Sequence, residues 1–198
     1  MNIVFDLGMV LIQWDPRHVY RKVFADEAKM EWFLANVCHH EWNLAQDGGR
    51  SFDDGVAEAT ARFPEYAAEI AMYRDRWMEM VPGAIEGSVR ILEELHDKHV
   101  PLYAITNWNV DTFRATRERF KFLDLFRDIV VSGDEKIIKP DPEIFHLLAR
   151  RNDIQLENSL FIDDSLKNVT GAEAVGMMGH HFTSPESLRG ALTQLGVL

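Results

Sequence analysis

Phe161-Ile162-Asp163-Asp164-Ser165 is an apolar run that stops at adjacent carboxylates, and Ile3-Val4-Phe5-Asp6 repeats that pattern near the start of the chain. Two apolar strands that both end in Asp can meet at one edge of a sheet, where like charges are tolerable only beside a neutralising cation. The pair therefore predicts a hard-metal site, with magnesium the expected ion.

Working outward, Leu102 to Ile105 and Ile129 to Val131 are further short apolar runs that stop at polar residues, with helix-period segments between them. That alternation predicts an α/β fold, a Rossmann-like parallel sheet with helices on both faces. Ile85, Val89, Leu92 and Leu95 recur at helical spacing before Pro101 opens the next strand. A helix from Asp141 to Arg151 has Pro142 in its first turn and buries Ile144, Phe145 and Leu148, and another carries Val169, Ala172 and Val175 to a left-handed stop at Gly176.

Between Trp14 and Val81 the pattern is helical without strands. Met30, Phe33, Leu34 and Val37 form one stripe, and Ile70, Tyr73, Trp77 and Met80 another; Ser51-Phe52-Asp53-Asp54 resembles a capping box. The expected division is a core of residues 1–14 and 82–198 with an all-helical cap at 15–81. Interrupting the sheet after its first strand, the cap should cover that strand's C-terminal edge, where open parallel sheets bind ligands. Asp47-Gly48-Gly49 reads as its most flexible point.

The 198 residues are 46% hydrophobic, enough for a substantial core. With 21 Lys and Arg against 32 Asp and Glu, the net charge of −11 argues against nucleic acid or anionic lipid as partner. No apolar stretch reaches the roughly 20 residues needed to span a bilayer, and no signal segment precedes Asn2, so a cytoplasmic location is the default expectation. The lone Cys38 excludes an intrachain disulfide and reads as helical packing among Leu34 and Val37. Oligomeric state is not legible.

Four elements occur in order: Asp6-Leu7-Gly8-Met9-Val10, Thr106-Asn107, Lys139-Pro140-Asp141-Pro142 and Asp163-Asp164-Ser165. The ordered set resembles the signature motifs of the haloacid dehalogenase (HAD) superfamily, and most closely its small phosphatases and dehalogenase-like proteins with a helical cap. Ser132-Gly133 and the stretch from Asn168 through Gly171-Ala172 to Gly176-Met177 fit the same group. The resemblance implies Asp6 as nucleophile, Mg2+ held by Asp6, the Gly8 carbonyl, Asp164 and, directly or through water, Asp163, with Thr106 and the Asn107 amide on the phosphoryl oxygens. Lys139, rather than Lys136, is the expected opposing cation because it precedes Pro140. A strand-end carboxylate can attack phosphorus and split one displacement into two easier ones, while Thr106 and Asn107 suit an anion cradle.

Gly8 departs from many phosphatases of the superfamily, which carry a second aspartate there to protonate the leaving oxygen. Such a group is worth about 10²- to 10⁴-fold, roughly 3 to 5 kcal/mol. An easily departing group such as an anomeric sugar phosphate, a cap residue such as His18 or Asp47, or a bound water could compensate; other small cap-containing members also have glycine. Met9, unusually large for its place, is expected to line the pocket, and Trp14 and Trp108 to wall it. His39-His40-Glu41 is not expected to bind metal, since adjacent side chains on a helix diverge by about 100°, and neither is His180-His181, in a terminal strand-like segment. Arg114, Arg117 and Arg119 read as a solvated face.

The leading expectation is a magnesium-dependent phosphohydrolase acting on a small phosphorylated metabolite through an aspartyl-phosphate. A metal-independent 2-haloacid dehalogenase would use the same Asp6; Gly8 suits it and Asp163-Asp164 does not. A catalytically weak binding or regulatory protein on the same fold is the third reading.

Overall fold

A computed structural model describes all residues, 1–198. Five parallel strands, β1 (Asn2–Phe5), β2 (Leu102–Thr106), β3 (Asp128–Val131), β4 (Ser159–Asp163) and β5 (Met178–His181), lie in the order β3-β2-β1-β4-β5. The two strands that end at Asp6 and Asp163 are thus central neighbours, with Phe5 paired to Ile162.

Strand periodicity divides the core. Ile3, Phe5, Leu102, Ala104, Leu160 and Ile162 face one hydrophobic cluster, while Val4, Tyr103, Ile105 and Phe161 face another. The second is covered by Ile144, Phe145 and Leu148 of a helix spanning Pro142–Asn152, which starts at an Asp141 cap and ends at a left-handed Asp153. Gly176, at φ +92, follows the helix Leu166–Ala174, as its place in the sequence predicts.

Between β1 and β2 run α1 (Arg17–Tyr20), α2 (Glu27–Asn36), α3 (His40–Asp47), α4 (Phe52–Arg62) and α5 (Ala67–Asp75), followed by α6 (Glu86–Asp97) on the sheet. Residues 17–80 supply no strand. The fold is a Rossmann-like core with a helical cap, whose Phe33, Trp42 and Tyr73 join the same cluster as Phe5 and Ile162. The two chain crossings are stitched by backbone bonds from Gln13 to Gly83 (2.9 Å), Ile85 to Leu11 (2.8 Å) and Asp15 to Met80 (2.9 Å).

Several local expectations change. The stripe through Met80 is broken: α5 stops at Asp75 and Trp77–Met80 forms a 3-10 turn. Cys38 lies between α2 and α3 rather than within a helix, yet it packs in the core, where burial pushes its thiol up to about 12 despite a lowering hydrogen bond with Tyr20. Ser51 caps α4 through Asp54 N–H at 3.1 Å, while the Asp54 carboxylate accepts from the serine hydroxyl instead of its backbone. Trp32 is exposed, its ring against Phe63 and Tyr66. At the end of α7 (Val110–Arg119), Arg119 does more than meet solvent, donating to the Val81 and Pro82 carbonyls at 2.7 and 2.9 Å.

Candidate active site

Each central strand delivers its carboxylate at the C-terminal edge because the chain must leave the sheet there. One carboxylate oxygen each from Asp6, Asp163 and Asp164 falls within 4.8 Å of the others. Lys139, wholly buried, places Nζ 3.0 Å from Asp6 Oδ1 and 2.7 Å from Asp163 Oδ2. Asp6 Oδ1 also accepts the Leu7 N–H at 2.6 Å, leaving Oδ2 without a protein hydrogen bond at the cavity edge.

Asp163 is saturated. It accepts from Lys139, from the Ser165 N–H at 2.8 Å and from Asn168 Nδ2 at 3.1 and 3.2 Å. Asp164 is open to the cavity, and His181 bonds its backbone carbonyl at 2.9 Å. One ammonium against three carboxylates leaves an excess of negative charge that a single divalent cation cancels. The donor set therefore fits a hard cation.

The titrations carry the same signature. Burial first, then the Asp163 and Asp164 charges, push Asp6 up to about 7 against the lowering pull of Lys139. Asp164 is raised by partial desolvation and by Asp163. Burial alone would lower the Lys139 ammonium, but the Asp6 and Asp163 carboxylates hold it above its ordinary value.

The cavity beside these groups has a volume of about 260 Å³, just below the roughly 300 Å³ where ligand pockets usually begin. Gly8, Met9, Trp14, Asn107 and Trp108 line it. Thr106 does not: it ends β2 fully buried behind the lining. Lys136 is exposed, at φ 58, away from the carboxylates that Lys139 contacts. His18 faces a neighbouring groove with Gln13 and Thr183, outside this cavity.

Contributors absent from the sequence reading are Asn168, which braces Asp163, and Trp77, Asn43 and Leu44, which face the cavity from the cap. Asp47, weighed only as a substitute acid, lies in the same wall. Its turn is docked, not loose: a Cβ at Gly48 would lie 3.5 Å from Ile138, and one at Gly49, with φ +100, 3.1 Å from the Gly133 carbonyl. His39 caps α3, its Nδ1 accepting the Trp42 N–H at 3.3 Å.

A model of haloacid dehalogenase-like hydrolases matches residues 1–176. The chain belongs to that family. It is an enzyme of the hydrolase class, and its relatives include named phosphatases. A sesquiterpene phosphatase of Aspergillus oryzae is 29% identical over 91% of this chain and 88% of its own length. A phosphorylated carbohydrates phosphatase of Thermotoga maritima is 24% identical over 88% of this chain and 81% of its own. Among solved structures, a HAD family enzyme of Bacteroides thetaiotaomicron in complex with magnesium and inorganic phosphate superposes with a TM-score of 0.70 at 22% identity, covering 92% and 94% of the two chains. No helix is long and apolar enough to cross a membrane.

Proposed function

We propose that this hydrolase is a magnesium-dependent phosphatase of small phosphate monoesters that works through an aspartyl-phosphate on Asp6. The observation that carries the reading is the cluster of Asp6, Asp163 and Asp164 oxygens within 4.8 Å, facing a cavity and balanced by only one ammonium. Asp6, Asp164 and the Gly8 carbonyl would hold Mg2+, with Asp163 behind them. When bound, the ion supplies positive charge to the phosphoryl oxygens.

Lys139 fixes Asp6 Oδ1, so Oδ2 is the oxygen presented for attack on phosphorus. The Asn107 amide, at the cavity wall, and Thr106, which ends β2 beside it, would donate to phosphoryl oxygens. Residues 15–81 act as the cap that excludes water. Metal-free halide displacement gains nothing from such concentrated acidity, which favours the phosphatase.

Two substrate classes are supported. A sugar phosphate suits the departure at Gly8 and the carbohydrate phosphatase relative. The apolar wall of Trp14, Leu44, Trp77 and Trp108, with the sesquiterpene phosphatase relative, favours the phosphate of an apolar alcohol. Phosphate and halide release are measured with and without magnesium, on hexose phosphates, prenyl phosphates and 2-haloacids, for wild type and Asp6→Asn. Magnesium-dependent phosphate release lost in Asp6→Asn is expected; metal-independent halide release overturns the proposal.

A further inference from the structure

The alkoxide produced when a P–O bond breaks needs a proton, and the first motif offers none: Gly8 has no side chain. The titratable groups at the cavity wall are Asp6, His40, Asp47, Lys139, Asp164 and Lys167. Asp6, Asp164 and Lys139 are committed to nucleophile, cation site and ion pair. His40 and Lys167 are exposed at the rim. Asp47 remains.

Asp47 closes α3 and reaches the cavity from the cap, on the side facing Asp6. Its carboxylate Oδ2 accepts from Asn43 Nδ2 at 3.0 Å, and Asn43 in turn accepts the Tyr73 hydroxyl at 3.1 Å. Its backbone carbonyl accepts from Ser132 Oγ at 2.5 Å, tying this cap residue directly to the core. The side chain is therefore held, not swinging, which a proton donor at a fixed distance requires.

The geometry points to Asp47 as the general acid and base of this enzyme, a role delivered from the cap instead of from position 8. The inference rests on the phosphatase reading above. As Asp6 Oδ2 bonds to phosphorus and the P–O bond to the alcohol breaks, the Asp47 carboxyl proton passes to the departing oxygen. The resulting Asp47 carboxylate takes a proton from the water that attacks the aspartyl-phosphate, which releases phosphate and returns Asp6 and Asp47 to their starting forms. Burial, with a contribution from the Asp6 charge and against a lowering bond from the Asn109 N–H, pushes Asp47 up to about 8, so the proton is present at neutral pH.

The test compares leaving groups in single-turnover alcohol release. p-Nitrophenolate departs without protonation, whereas the alkoxide of benzyl phosphate does not. Asp47→Asn is expected to slow benzyl alcohol release about 10²- to 10⁴-fold and nitrophenolate release less than about 10-fold. A Cβ at Gly8 meets nothing within 4 Å, so Gly8→Asp has room to restore benzyl alcohol release at least about tenfold in the Asp47→Asn background. Infrared difference spectra at pH 7 between wild type and Asp47→Asn should show the loss of one protonated-carboxyl stretch, the Asp6 share being common to both. Equal slowing of both substrates, no slowing, or an unchanged carboxyl band overturns the assignment of Asp47. If wild type releases phosphate from neither ester, the phosphatase reading itself fails and this role falls with it.

Discussion

Asn107, just past the end of β2, and Lys139, in the loop before the helix Pro142–Asn152, clasp each other: Asn107 Nδ2 donates to the Lys139 carbonyl at 3.1 Å, and Asn107 Oδ1 accepts the Lys139 N–H at 2.8 Å. The pair fixes the backbone from which the buried ammonium reaches Asp6 and Asp163. Asn107→Ala loses both bonds and leaves partly buried groups unpaired, with an expected cost of about 1–3 kcal/mol. Urea midpoints read that cost. A midpoint unchanged from wild type contradicts the clasp.

Lys139→Met removes the one cation between two buried carboxylates. Breaking a buried pair from one side costs about 3–5 kcal/mol, mostly as uncompensated charge. The penalty should be full above pH 7 and shrink toward pH 4, because Asp6, raised to about 7 by burial, escapes it by taking up a proton. Denaturant unfolding of the metal-free variant at both pH values decides the matter; a pH-independent penalty assigns Lys139 to packing alone.

Strand ends, caps and the ordered acidic motifs were legible because each is local: an apolar run stops, a polar residue follows, and the next helix has its own cap. What stayed hidden comes from residues far apart in the chain. Asn168 bracing Asp163, Ser132 holding the Asp47 carbonyl and Arg119 on Val81 leave no periodic trace, since a bond between distant segments imposes no spacing. Gly48-Gly49 misled for the same reason. A double glycine reads as freedom in isolation, yet here its missing side chains allow close approach to Ile138 and Gly133.

Magnesium should stabilise the folded chain, because the Asp6, Asp163 and Asp164 cluster exists only when β1 and β4 are paired. At a concentration a hundred times Kd the gain is about 2.7 kcal/mol. Asp164→Asn should abolish the magnesium-induced rise in Tm while changing the metal-free Tm little, since Asp164 is exposed. An equal magnesium response in wild type and variant moves the cation elsewhere.

Gly171, within the helix Leu166–Ala174, presses on the residue after Lys139: a Cβ there would lie 2.6 Å from Pro140 Cβ and 3.0 Å from its carbonyl oxygen. Gly171→Ala gains helix propensity of about 1 kcal/mol, but the overlap costs about 1–3 kcal/mol. Because relief requires Pro140 to move, phosphatase activity should fall together with stability. Higher stability with full activity would show that the contact yields cheaply.

The acid groups of the cavity predict an unusual pH dependence of stability for the metal-free protein. Asp6 and Asp47 are raised from 3.8 to about 7 and about 8, both by burial first, and around Asp47 stand the Asn43 amide, the Asn109 N–H, the Tyr73 hydroxyl and the Asp6 charge. A carboxyl raised on folding keeps its proton in the native state after the unfolded chain has lost it. Stability from these groups is therefore fully present below pH 3.8 and declines as pH rises through 7 to 8. Each group contributes a slope of at most about 1.4 kcal/mol per pH unit, reduced where cavity water reaches the carboxyl. Asp47→Asn should flatten the decline between pH 5 and pH 8 while keeping the part that belongs to Asp6. Urea unfolding at those two pH values in the presence of a chelator measures it, and a variant whose slope matches wild type would place Asp47 in ordinary solvent rather than in the cavity wall.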